Sequence, residues 1–176
     1  MSTYFEYSGH HFFGFGSLNK AVLMKKKNKE EVGEELRKAL VHCMIRGKHL
    51  VINMDNTIPN FKRDYDTDKV PLSKMVLIPE ELKKNHLDVV NDDENYDITG
   101  VSKGCYTFHK DFMIIFYTNA GDPDFDDSMI QMVLDSVPLI DTFERFYVDE
   151  GDNIPGYKEA KAAKEAQEKA AAEARM

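Results

Sequence analysis

Two polar-tipped apolar runs and one glycine-to-lysine spacing are the features of this chain best suited to chemistry. The spacing is Gly14-Phe15-Gly16-Ser17-Leu18-Asn19-Lys20-Ala21. A phosphate-cradling loop reads G-x-x-x-x-G-K-[ST]: glycines let backbone amides approach the phosphates, and the lysine supplies positive charge. Gly14 and Lys20 match that pattern. Asn19 stands where the second glycine belongs, and Ala21 stands where a magnesium-binding hydroxyl belongs. The first apolar run, Leu50-Val51-Ile52-Asn53-Met54, ends at Asp55. A carboxylate at the C-terminal edge of a buried strand is placed to hold magnesium beside a phosphate. The next residue is Asn56, whose amide cannot accept a proton from water as a glutamate would. The same run also fits an ordinary core strand meeting a polar turn. The second run, Phe112 to Tyr117, ends at Thr118-Asn119, and an Asn there can hold a water near a terminal phosphate.

Other constellations carry less. Asp64-Tyr65-Asp66-Thr67-Asp68-Lys69 opens like a calcium loop. Lys69 replaces the glycine of the sixth position, and Met75 replaces the bidentate glutamate of the twelfth. His10 and His11 are adjacent, so a strand points their rings apart. Cys43 sits at an apolar helical position beside His42, which favours core packing over a Cys–His dyad. Asp122, Asp124, Asp126 and Asp127 read as a capped surface turn. Met129 and Met132 read as core packing.

The elements that position these residues follow from periodicity. Residues 4–16 alternate aromatic and small residues, which predicts a strand and then a glycine-rich turn. Residues 29–46 predict an amphipathic helix: Val32, Leu36, Ala39, Leu40 and Cys43 recur at three- and four-residue spacing, with charged residues outside. Gly47 ends it. Residues 60–74 are polar and predict a loop. Pro79 opens a helix. Residues 91–97 predict an acidic surface loop. Asp126 or Asp127 caps a helix carrying Met129, Ile130, Met132, Val133 and Leu134. A further strand is expected at 143–148. Strands alternating with helices predict an α/β fold with a mainly parallel sheet. Pro155-Gly156 marks a break, which divides the chain into an α/β domain over 1–155 and an Ala/Lys/Glu-rich helical tail over 156–176. The tail has strong helix propensity but no large aliphatic stripe, so it is expected to project toward a partner, with a frayed, solvent-exposed helix as the alternative.

Taken in order, the helix, the Asp strand, the Thr-Asn strand, a helix and the Phe143-Glu144-Arg145-Phe146 segment resemble the second half of an AAA+ ATPase core. Arg46-Gly47-Lys48-His49-Leu50-Val51-Ile52-Asn53 and Lys110 to Asn119 are most similar to the degenerate modules of dynein-type motors, over about residues 39–148. The resemblance implies a three-layer domain of P-loop NTPase type. It assigns nucleotide-facing positions to Asp55, Asn119 and Arg145, beside Gly14 and Lys20 from the phosphate-loop spacing. Ala21 and Asn56 depart from it, so the expectation is a module that has lost hydrolysis, requires no cofactor, and retains at most a bound nucleotide. Such a module serves as a structural or docking part of a ciliary or microtubule-associated assembly, meeting protein partners, one contact being the 157–176 helix. The rival expectation is a small nucleotide kinase or phosphohydrolase using Gly14–Lys20 and Asp55.

Bulk properties narrow the partners. Of 176 residues, 42% are hydrophobic and 11% aromatic, as in a globular protein. Net charge is −8, unevenly spread: residues 1–50 hold nine Lys/Arg against five Asp/Glu, whereas 51–156 hold nine against twenty-two. An acidic body disfavours nucleic acid, whose phosphates need dense Lys/Arg. Lys20, Lys25, Lys26, Lys27 and Lys29 form a basic run that suits either a solvated helix face or an anionic partner. The longest apolar run, Phe112 to Tyr117, is too short to span a bilayer, and no secretory leader is visible. Two cysteines are too few for a disulfide scaffold, which fits a reducing, cytoplasmic setting, and the dynein-type resemblance implies a ciliary axoneme.

Overall fold

The computed structural model describes residues 9–119 and 126–146. The chain divides into two units, Met1–Phe143 and Glu144–Met176. The first unit is an α/β arrangement around a small, open sheet of three parallel strands in the order β1-β2-β3. β1 is His11–Phe13, β2 is Leu50–Asp55 and β3 is Ile114–Thr118. Parallel neighbours need long crossovers, and helical segments supply them here. α1 (Phe15–Leu23) and α2 (Lys29–Arg46) connect β1 to β2. Between β2 and β3 run α3 (Phe61–Asp64), a π-helical turn at Leu72–Val76, α4 (Pro79–Asn85) and a 3₁₀ turn at His86–Val89. After β3 come α5 (Asp127–Ser136) and a 3₁₀ turn at Ile140–Thr142.

α2 forms where its periodicity predicts, and both ends are specified by side chains. Asn28 accepts the Glu31 N–H while the Glu31 carboxylate accepts the Asn28 N–H, a reciprocal capping box. Gly47 closes the helix at φ 64, a left-handed conformation that favours glycine. Its buried face presents Val32, Leu36, Leu40, Cys43 and Met44 to the core, whose other contributors include Leu50, Ile52 and Met54 of β2. Asp126 caps α5 by accepting the Met129 N–H, as expected. Pro79 occupies the first turn of α4, where its missing N–H costs no helical bond.

Met132, expected in the core, is 54% exposed, and three further expectations are corrected. Residues 60–74 are not a simple loop: Phe61 and Tyr65, four apart, are buried, and Val70 and Leu72 join the same core. Burial of those four side chains outweighs the polar residues between them. The glycine-rich turn after the first strand shrinks to Gly14, because α1 begins at Phe15 and includes Gly16. Finally, residues 144–146 carry no strand, and Phe143 caps the preceding 3₁₀ turn. Residues 147–148 and the 157–176 tail lie outside the described residues. Among the described residues no helix is long and apolar enough to cross a membrane.

Candidate functional site

The C-terminal edge of a parallel sheet is where open α/β folds place ligands, because helix N-termini and strand tips converge there. Here that edge gathers four of the expected residues. Gly14 follows β1 and is the N-cap of α1. Asp55 ends β2. Asn119 directly follows β3, and the Asn119 N–H donates to the Asp55 carbonyl oxygen at 3.0 Å. Asp55 and Asn119 thus end neighbouring parallel strands, as their shared pattern predicts.

The tip of β2 is irregular in a way that fixes Asp55. Asn53 pairs with Tyr117 and Asp55 with Thr118, so Met54 is an extra residue on β2. Such a bulge re-aims the side chain beside it. Asp55 takes φ 55, a left-handed conformation that Asp tolerates better than most non-glycine residues. Three hydrogen bonds hold it there: its N–H donates to Asn53 Oδ1 at 2.9 Å, and its carbonyl oxygen accepts both Asn119 N–H and Thr118 Oγ1, the latter at 2.8 Å.

Lys20 reaches this tip from α1. Its Nζ donates to Asp55 Oδ2 at 2.8 Å and to Asn56 Oδ1 at 3.0 Å. Both partners of the ion pair are about two-fifths exposed, so water screens it. What brings α1 so close is Gly16. A Cβ there would lie 2.5 Å from the Met54 carbonyl oxygen and 2.7 Å from Asp55 Cβ. A Cβ on Gly14 would meet nothing within 4 Å. The sterically required glycine of the motif is therefore Gly16, and Asn56 is a second partner of Lys20. Sequence spacing singles out neither, since both depend on α1 crossing the end of β2.

The backbone between Gly14 and Lys20 is helical, not a loop. The Leu18 N–H donates to the Gly14 carbonyl, so amides from Leu18 onward are spent inside the helix. Arg145 belongs to the second unit, in a segment without regular structure, and is exposed. Among the described residues there is no group of three or more His, Cys, Asp or Glu able to hold a metal ion. No protein-family model, curated protein or solved structure matches this chain.

Proposed function

We propose that this chain is a non-catalytic structural or docking module built on a degenerate nucleotide-binding core of AAA+ type, in a larger ciliary or microtubule-associated assembly. The observation that carries the reading is the Lys20–Asp55–Asn56 contact. A phosphate site needs the lysine directed at phosphate and the carboxylate directed at magnesium. In this chain the ammonium sits 2.8 Å from the carboxylate oxygen, so each group occupies the other. Magnesium binds oxygen at about 2.0–2.1 Å and tolerates no ammonium in the same position. Asn56 accepts a hydrogen bond from Lys20 and offers no basic group to water. The helical Gly14–Lys20 segment supports the same reading, because its later amides are spent on the helix.

The sequential parallel strands, with Asp55 and Asn119 at adjacent tips, support a three-layer P-loop-type ancestry. The Ala/Lys/Glu composition of the tail supports a second contact with protein partners. Equilibrium binding of ATP and GTP with and without magnesium, together with steady-state phosphate release, tests the proposal. The expected result is no sustained release. Sustained release that disappears in Asp55→Ala would instead establish the rival reading, a small nucleotide kinase or phosphohydrolase.

A further inference from the structure

The basic run at Lys20–Lys29 divides into two sets. Lys20 engages Asp55, Lys27 engages Glu35, and Lys29 engages Asp64. The side chains of Lys25 and Lys26 engage no carboxylate among the described residues. They directly follow Leu23 and Met24, which are 75% and 65% exposed. This knob is built, not frayed. The Met24 N–H donates to the Lys20 carbonyl, Lys25 N–H to Val22 and Lys26 N–H to Ala21. The cap is closed by Lys25 at φ 57, where glycine is the usual choice.

A surface of opposite character stands elsewhere on the same unit. The loop from Asn91 to Gly104 carries four Asp/Glu and one Lys. Arg37 neutralises Glu94, and Asp97 is spent on Thr99, Val101 and Ser102. Asp92 and Asp93 are exposed and have no such partner among the described residues. The Asp97 bonds hold Ile98 and Val101 outward, 56% and 79% exposed.

We infer that this chain self-associates head to tail: the Leu23-Met24-Lys25-Lys26 knob of one copy docks on the Asp92–Asp93 loop, with Ile98 and Val101, of another. Two cations meet two carboxylates, and two exposed apolar side chains on each side lose water together. Within one chain no ion pair joins Lys25 or Lys26 to Asp92 or Asp93 among the described residues. The knob is tied to Glu35 of α2 through Lys27, and the loop is tied to Arg37 through Glu94. Two residues along a helix differ by about 200° in direction, so the patches attach to opposite faces of α2. A head-to-tail pair leaves one knob and one loop open at its ends, so growth continues past two copies until the set closes into a ring or extends as a filament. This contact involves neither the strand tips nor a bound nucleotide.

Sedimentation velocity on the full chain at low salt, over about a hundredfold range of concentration, tests it. The expected result is a mass that rises with concentration beyond two copies and falls back in about 0.5 M salt, where charges are screened within a few ångströms. K25E/K26E and D92K/D93K should each weaken association by about tenfold or more. Mixing the two variants should restore a contact, since the acidic knob of one meets the basic loop of the other. Circular dichroism confirms that each variant is folded. A chain that remains monomeric, a species that stops at the dimer, association that survives either swap, or a mixture that fails to pair would overturn the inference.

Discussion

The first turn of α1 rests on the tip of β2 at Gly16, where a Cβ would lie 2.5 Å from the Met54 carbonyl oxygen. The obstructing atom is backbone, so it cannot swing aside. Gly16→Ala is expected to cost about 2–3 kcal/mol, as overpacking against fixed atoms does. Gly14→Ala meets open space at φ −74 and is expected to cost under about 1 kcal/mol, the difference between glycine and alanine as N-caps. Urea denaturation of both variants measures the contrast. Equal losses would show that the close approach is relieved some other way.

That contrast depends on how α1 crosses β2, which no local pattern encodes. The helix at 29–46 is legible because period, capping box and Gly47 all agree. β2 and β3 are legible because each is an apolar run with a polar tip, and the same signal brings out Asp55 and Asn119. The core residues Phe61, Tyr65, Val70 and Leu72 are hidden because one pair four apart and one pair two apart are too short a run to establish a helix or strand period. At the site, spacing pairs Gly14 with Lys20. The roles of Gly16 and Asn56 are invisible until α1 is laid across β2. Nothing local announces that Asp55 turns left-handed, since a one-residue bulge leaves no mark on composition.

The Lys20–Asp55 pair is expected to matter little for stability despite its 2.8 Å length. Exposed ion pairs contribute roughly 0–1 kcal/mol, because water screens them and two side chains lose freedom. Lys20→Met should therefore shift the urea-derived stability by less than about 1 kcal/mol. A loss above about 2 kcal/mol would mean that the pair anchors α1 to the sheet.

Stability is expected to fall on mild acidification because of histidines at the other end of the sheet. His11 and His42 lie with ring centroids 5.7 Å apart, and His10 stacks on His49 at 4.3 Å. Burial lowers the pKa of His11, His42 and His49 below the usual 6.5. Lys48 adds to the effect at His11, Arg46 at His42 and His10 at His49, while Asp111 opposes it at His49. A lowered folded-state pKa means that the unfolded chain binds protons first. This contribution is complete above about pH 6.5 and is lost as pH falls through the lower folded values. Melting temperature should be level from pH 8 to 7 and drop from about pH 6.5 to 5. His42→Gln should flatten that limb, and an unchanged slope would count against the cluster.

Tyr65 is 2% exposed, and its hydroxyl has no hydrogen-bond partner among the described residues. Burial pushes its pKa up to about 12, and the nearby Asp64 adds to the rise. Its ring packs edge-on to Phe15 at 4.8 Å, a contact that phenylalanine preserves. An unsatisfied buried hydroxyl costs about 1–3 kcal/mol of desolvation. Tyr65→Phe should therefore raise stability by about 1 kcal/mol in urea titration. A loss would reveal a bridging water.

Arg37 is 2% exposed and spends all five of its N–H groups. Nε donates to Glu34, Nη1 to the Val89 carbonyl and to Glu94, and Nη2 to Glu34 and Glu94. The guanidinium thereby ties α2 to the 3₁₀ turn and to the acidic loop. Breaking a buried pair from one side costs about 3–5 kcal/mol. Glu34 and Glu94 keep side-chain exposures of 35% and 22%, so both can rehydrate and the lower figure applies. Arg37→Met should cost about 3 kcal/mol. Arg37→Lys should recover little, because an ammonium has three donors and no planar fork. Adding Glu34→Gln and Glu94→Gln to Arg37→Met should return part of the loss by removing the stranded charges. The acid response supplies a separate check. Hydrogen bonds from Arg37 hold both carboxyls below the usual 4.5, so their contribution is present above that pH and lost as pH falls through the folded values. In Arg37→Met that part of the pH dependence should vanish. Its persistence would place the carboxylates' stabilisation elsewhere.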